Sequence, residues 1–205
     1  MVELERFGEQ QPLAERVLTG KAAQLTQLIG KPVSLELVGS LDDALLARML
    51  ALEEEVFSIE DNVYSAADIR ECLAEEDSLL LVMRIDGSVE GYVFGYDEEP
   101  EDPEVEGTDY FVDSAVVSLA YEAKGIGSRA GLMVLYLLYL LGYRSIGITT
   151  EPRDKTGREL IGFYHKLGFT EAPTKRPGSW AMKIELSDAL VQKLATQLLG
   201  GDAGR

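Results

Sequence analysis

The stretch Val117-Ser-Leu-Ala-Tyr-Glu-Ala-Lys-Gly-Ile-Gly-Ser128 carries most of the fold information in this chain. Tyr110 to Leu119 reads as a strand, and Ser128 to Leu141 as a helix stopped by Gly142. Between them a glycine turn exposes successive backbone N–H groups that no side chain blocks, and the helix N-terminus adds partial positive charge. Such a turn suits a diphosphate, and Lys124 and Arg129 add full charges beside it. Two other readings compete. Gly125-Ile-Gly-Ser-Arg-Ala130 also fits the dinucleotide fingerprint G-x-G-x-x-G/A. Against that, Tyr121-Glu-Ala-Lys124 separates the strand from its first glycine, and too little chain follows for a full dinucleotide fold. Alternatively, the glycines serve only close helix–strand packing. No G-x-x-x-x-G-K-[ST] pattern occurs.

Upstream, Pro12 to Ile29 carries apolar residues at near-helical spacing and is closed by Gly30. Val33 to Val38 alternates as a short strand, and Leu41 to Phe57 forms a second helix with Asp42 and Asp43 near its start. After a turn at Asp61-Asn62, Ser65 caps a helix over Ala66 to Ala74. Ser78 to Ile85 and Val89 to Tyr96 pair through an Asp86-Gly87 hairpin turn. Asp97 to Glu106 is acidic, contains Pro100 and Pro103, and reads as a solvated, mobile loop that tolerates shortening. Downstream come a strand at Ser145 to Thr150, a helix at Gly157 to Leu167 ending on Gly168, and a strand at Trp180 to Leu186. A last helix, capped by Ser187, runs to about Leu199, with Gly200 beyond it. This order predicts an α/β fold with one mixed, mostly antiparallel sheet covered by helices.

Composition narrows the function. The formal net charge is −17, which disfavours nucleic acid. Yet Tyr121 to Arg176 holds nine Lys/Arg against five acids, so this window is +4 and the remainder −21. The single cysteine, Cys72, reads as a small buried hydrophobe, and the single histidine, His165, has no partner set for a metal. Leu132 to Leu141 is too short to span a bilayer and reads as a buried helix; with no membrane partner and no leader, the cytoplasm is the expected location.

The segment Lys124-Gly-Ile-Gly127 with its strand and helix resembles the acyl-CoA diphosphate loop of the GNAT superfamily of N-acetyltransferases. Phe163-Tyr-His-Lys-Leu-Gly-Phe169 resembles that superfamily's second signature, in the same order along the chain. The resemblance covers roughly Val33 to Leu186. It implies a GNAT-like domain at 31–186, an N-terminal helical extension at 1–30, and a C-terminal helix and tail at 187–205. Four positions depart from the usual pattern: Glu122 for Arg or Gln, Ala123 for a common glycine, Gly157 for asparagine and Leu160 for alanine. Because a carboxylate would repel a diphosphate, Glu122 must point away or be paired.

By resemblance, the strand before the glycine loop splays from the next strand, and the acyl group of acetyl-CoA lies in the gap. Val117 then makes the main-chain contact, and Lys124, Gly125, Ile126, Gly127, Ser128 and Arg129 bind the cofactor. Tyr164 falls on the tyrosine that protonates the leaving thiolate. Asp113 shares strand parity with Ala115 and Val117, and is the candidate base; a solvated strand carboxylate is the competing reading. Glu54, Glu55, Asp61 and Tyr64 fall on the acceptor wall, where acids would suit a cationic amine; a solvated helix face is the competing reading. The expected activity is acetyl transfer from acetyl-CoA to a primary amine of a small molecule or peptide, without a metal. The alternative is an acyl-CoA-binding module without turnover. Apolar faces on the terminal helices would permit a homodimer.

Overall fold

The computed structural model describes residues 1–57, 64–75, 77–99, 101–122, 124–175 and 180–199. Seven strands form one sheet in the order β1-β2-β3-β4-β5-β7-β6. They are β1 (Val33–Leu37), β2 (Leu79–Ile85), β3 (Ser88–Asp97), β4 (Tyr110–Val117), β5 (Ser145–Thr150), β6 (Thr170–Glu171) and β7 (Trp180–Glu185). Every pairing is antiparallel except β4 with β5. The helices are α1 (Gln11–Ile29), α2 (Asp43–Val56), α3 (Ala66–Ala74), α4 (Ile126–Leu141), α5 (Ile161–Leu167) and α6 (Asp188–Leu199).

The period-2 alternation of β2 divides the core between two faces. Leu79, Leu81, Met83 and Ile85 pack with α1, α4 and α6, whereas Leu80 and Val82 pack with α2 and α3. Local chemistry fixes several boundaries. Asp42 accepts from the Leu45 N–H at 2.7 Å and caps α2. Ser65 and Asp68 form a reciprocal capping box at α3. Asp86 and Gly87 both take positive φ, as a tight hairpin turn requires. Met133 to Leu138 is buried, and no helix among the described residues is long and apolar enough to cross a membrane.

Five expectations change. The helix expected from Gly157 begins only at Ile161, because Asp154 collects the Thr156 and Arg158 N–H groups and the Thr156 hydroxyl into a turn. β4 ends at Val117, where Ser118 accepts from the Ala120 N–H and starts a 3-10 turn at Leu119–Tyr121. The loop after β3 is anchored rather than simply solvated. Val105 is fully buried against Phe111 and Ala181, and the buried Glu98 accepts from the Glu104 N–H at 2.7 Å. β6, two residues long, gave no sequence signal. Finally, the apolar faces of the terminal helices are only partly exposed: Val17 and Leu25 of α1 and Leu194 of α6 are buried within the chain, while Leu28 of α1 is 42% exposed. The Asp61-Asn62 turn, Pro100, Ala123, Arg176 and Gly200 lie outside the described residues.

Candidate active site

The parallel ladder between β4 and β5 runs from Tyr110↔Ile146 to Val112↔Ile148 and goes no further. The strands part where β4 is bulged: Val112 opposes Gly95 and Ser114 opposes Phe94, leaving Asp113 as the extra residue. Beyond the bulge the Ser118 N–H donates to the Glu90 carbonyl at 2.8 Å, which marks that pair as hydrogen-bonded. Alternation along an antiparallel ladder then makes Val117↔Gly91 and Ala115↔Val93 non-bonded pairs, with main-chain groups facing away from β3. The Val117 N–H is therefore directed to the side that β5 has left. A cleft of about 1220 Å³ opens there, lined by β4, the start of α4, β5 and α5.

At one end of this cleft lies the glycine loop. α4 starts at Ile126, inside the Gly-x-Gly, with Gly125 as its left-handed N-cap at φ 73°. No side chain caps it, so the N–H groups of Ile126, Gly127 and Ser128 remain available to an anion. The loop thus fits a diphosphate. A Cβ on Gly125 would lie 2.5 Å from Nη1 of Arg129, whose guanidinium donates to the Gly125 carbonyl at 3.0 Å. At Gly127 a Cβ would meet Phe163 at only ordinary contact distance, 3.5 Å. Lys124 is exposed, its Nζ 4.9 Å from the centroid of the Tyr121 ring. Glu122 is paired: its carboxylate lies 2.9 Å from Arg158, which also pairs with Asp154 at 2.9 Å.

Tyr164 lines the same cleft from α5. Its ring packs edge-on against Phe163 and Phe169, with centroids 5.1 and 5.7 Å away. Burial pushes its hydroxyl up to about 12, partly offset by Arg158, so the group is a proton donor at neutral pH. His165 engages the Phe169 carbonyl through Nδ1 at 3.0 Å and holds the end of α5.

The acidic residues sort differently from their sequence pattern. The bulge breaks the parity assumed for Asp113, which turns with Ser114 and Val116 toward α2 and α3. There it accepts from the Tyr64 hydroxyl at 2.5 Å and from the Cys72 thiol at 3.4 Å. Cys72 is therefore a hydrogen-bond donor to a carboxylate that lines the cleft and not simply a small hydrophobe. Glu54 is exposed, while Glu55 accepts from the Ser118 hydroxyl and Leu119 N–H at 2.9 and 2.7 Å and braces the end of β4. Asp61 lies outside the described residues. The carboxylate missed by the sequence reading is Glu53, 1% exposed and lining the cleft. Its Oε1 accepts from Tyr92 and, at 2.7 Å, from Ser114. Burial raises its pKa, and the nearby Asp113 raises it further. The signal was present: Glu53 is four residues after Met49 and three before Val56, on the apolar stripe of α2.

The sequence matches the model of the acetyltransferase (GNAT) family over residues 46–169. No curated protein is a significant match. Several solved structures share the fold. The ribosomal-protein-S18-alanine N-acetyltransferase of Escherichia coli is 15% identical, with a TM-score of 0.58 over 76% of this chain and 94% of that one. The PaiA N-acetyltransferase of Thermoplasma acidophilum, solved with coenzyme A, is 16% identical, with a TM-score of 0.56 over 74% and 99%. An aminoglycoside 6'-N-acetyltransferase, also solved with coenzyme A, is 14% identical, with a TM-score of 0.58 over 75% and 97%. At these identities the likeness is one of fold. The family match itself spans more than half of the sequence, and the chain belongs to the acetyltransferase (GNAT) family, whose fold supports acyl-CoA-dependent acetyl transfer.

Proposed function

We propose that this protein transfers an acetyl group from acetyl-CoA to a primary amine of a small molecule or peptide. The observation that carries the reading is the opening of the β4–β5 ladder after Val112, with the glycine loop at one end of the resulting cleft and Tyr164 on its wall. In this reading the N–H groups from Lys124 to Ser128 bind the diphosphate, with Lys124 and Arg129 adding charge. The Val117 N–H polarises the thioester carbonyl as negative charge develops on its oxygen. Asp113 takes the proton of the amine, and Tyr164 gives one to the departing thiolate. Glu53, Asp68 and Asp113 line the cleft on the side of α2 and α3, which suits an acceptor that arrives as an ammonium ion. Residues 1–30 and 187–205 flank the catalytic domain at 31–186.

The test is a thiol-release assay with acetyl-CoA and a panel of amines spanning cationic small molecules and peptide N-termini. Acceptor-dependent release of coenzyme A, with acetylated amine detected by mass spectrometry, is the expected result. Tight binding of acetyl-CoA without turnover on any amine would instead assign an acyl-CoA-binding module.

A further inference from the structure

A deeply buried carboxylate costs free energy unless both of its oxygens find partners. Glu53 is 1% exposed, and its Oε1 is engaged twice, by the Tyr92 hydroxyl and by the Ser114 hydroxyl at 2.7 Å. Its Oε2 accepts from no group among the described residues, yet it is not sealed inside the protein. Glu53 lines the cleft, and the cleft is the open space that this oxygen can reach. Among the described residues, no lysine or arginine pairs with it.

The surroundings define what would complete the site. Ser114, which holds Oε1, directly follows Asp113, so two carboxylates share this part of the cleft wall. Burial and the Asp113 charge both raise the Glu53 pKa, as expected of a carboxylate pair without a cation. Val56 and Phe57 line the same cleft, three and four residues after Glu53, and the Phe57 N–H donates to the Glu53 carbonyl at 2.8 Å. A cation on an apolar carbon chain fits this wall, whereas a carboxylate beside that cation would be repelled. We propose that Glu53 Oε2 holds the ammonium group of the acceptor, and that the acceptor is a primary alkylammonium with no carboxylate beside its amine. Its carbon chain then lies against Val56 and Phe57. This inference deepens the amine-acetylation reading and rests on it: Glu53 selects and orients the amine, and Asp113 keeps the role of proton acceptor.

Calorimetry on the full chain, without acetyl-CoA so that no transfer occurs, tests it. The probes are n-pentylamine, n-pentanol and norleucine, which carry the same alkyl chain. n-Pentylamine should bind about 10-fold or more tightly than the neutral alcohol, and than the amino acid, which adds a carboxylate beside the amine. Glu53→Gln keeps an acceptor for Tyr92 and Ser114 and replaces the anionic Oε2 by an N–H donor. It should weaken n-pentylamine binding by about 5- to 20-fold and leave n-pentanol and acetyl-CoA binding unchanged. A wild-type protein that binds n-pentanol or norleucine as well as n-pentylamine overturns the proposal, with no variant needed. So does a Glu53→Gln variant that binds n-pentylamine as the wild type does, or that loses n-pentanol and acetyl-CoA equally. Selective n-pentylamine binding in a protein that releases no coenzyme A with any amine would uphold the ammonium site and contradict the acetyl-transfer reading alone.

Discussion

Arg158 reaches across from the turn before α5 and pairs with Glu122 at 2.9 Å, beside the glycine loop. Glu122 is the position where this sequence departs most sharply from its family, and the pairing explains how the departure is tolerated. The carboxylate is neutralised by a residue 36 positions away. Arg158→Met should therefore weaken acetyl-CoA binding by about 5- to 20-fold, because it uncovers a negative charge beside the diphosphate. Adding Glu122→Gln should restore most of the loss. Calorimetry on the single and double variants checks the coupling; a double variant no better than Arg158→Met would show that Arg158 acts on the phosphates directly.

The two loop glycines should respond unequally. Gly125→Val meets both a positive φ and the Arg129 guanidinium, and should lower acetyl-CoA affinity by at least about 10-fold, or about 1.4 kcal/mol. Gly127→Ala has room against Phe163 and should retain binding within a few fold. Equal effects measured by calorimetry would detach the binding site from the left-handed N-cap.

Much of this was legible in the sequence, for local reasons. Glycines at helix ends, the Ser65 cap and the Asp86-Gly87 turn act over a few residues, so the element order could be read directly. The glycine loop and the Phe163 to Phe169 motif were also contiguous. What the sequence concealed depends on pairing at a distance. The bulge at Asp113 exists only in the register of β3 against β4, and it turns the carboxylate to the opposite face from its parity neighbours. Likewise, Glu53 stood in an acidic run that resembles a solvated face. Only its partners, Tyr92 and Ser114, show why it is buried.

Burial raises the folded-state pKa of Glu53 above its unfolded value, so the fold favours the protonated form. That contribution is fully present below the unfolded pKa and is lost as pH rises through the higher folded value. Glu53→Gln can still accept from Tyr92 and Ser114 through its amide oxygen. It should melt at a higher temperature than the wild type at neutral pH, with the difference shrinking toward pH 4. Thermal scans across this range check the sign; a lower Tm at neutral pH would mean that the charged form is the one the fold stabilises.

The acidic segment after β3 should behave as structure. Val105→Ala opens space in a small cluster with Phe111 and Ala181, and should cost about 1–3 kcal/mol in denaturant unfolding. Excising residues 101–106 should lower the Tm further, since the Val105↔Thr174 bridge is lost with them. An unchanged Tm in the shortened protein would return the segment to the status of a solvated loop.

Single-turnover kinetics of Tyr164→Phe test the central claim most directly, using the amine that gives the fastest release of coenzyme A. The phenylalanine keeps the ring packing against Phe163 and Phe169 and removes only the hydroxyl. With that hydroxyl pushed up to about 12, the wild-type donor stays protonated throughout the working range, so its loss should be felt at every pH. The expected result is a fall of about 10²- to 10⁴-fold in the chemical step, with acetyl-CoA affinity unchanged. A wild-type single-turnover rate in Tyr164→Phe would contradict the assignment of Tyr164 as the acid that releases the thiolate.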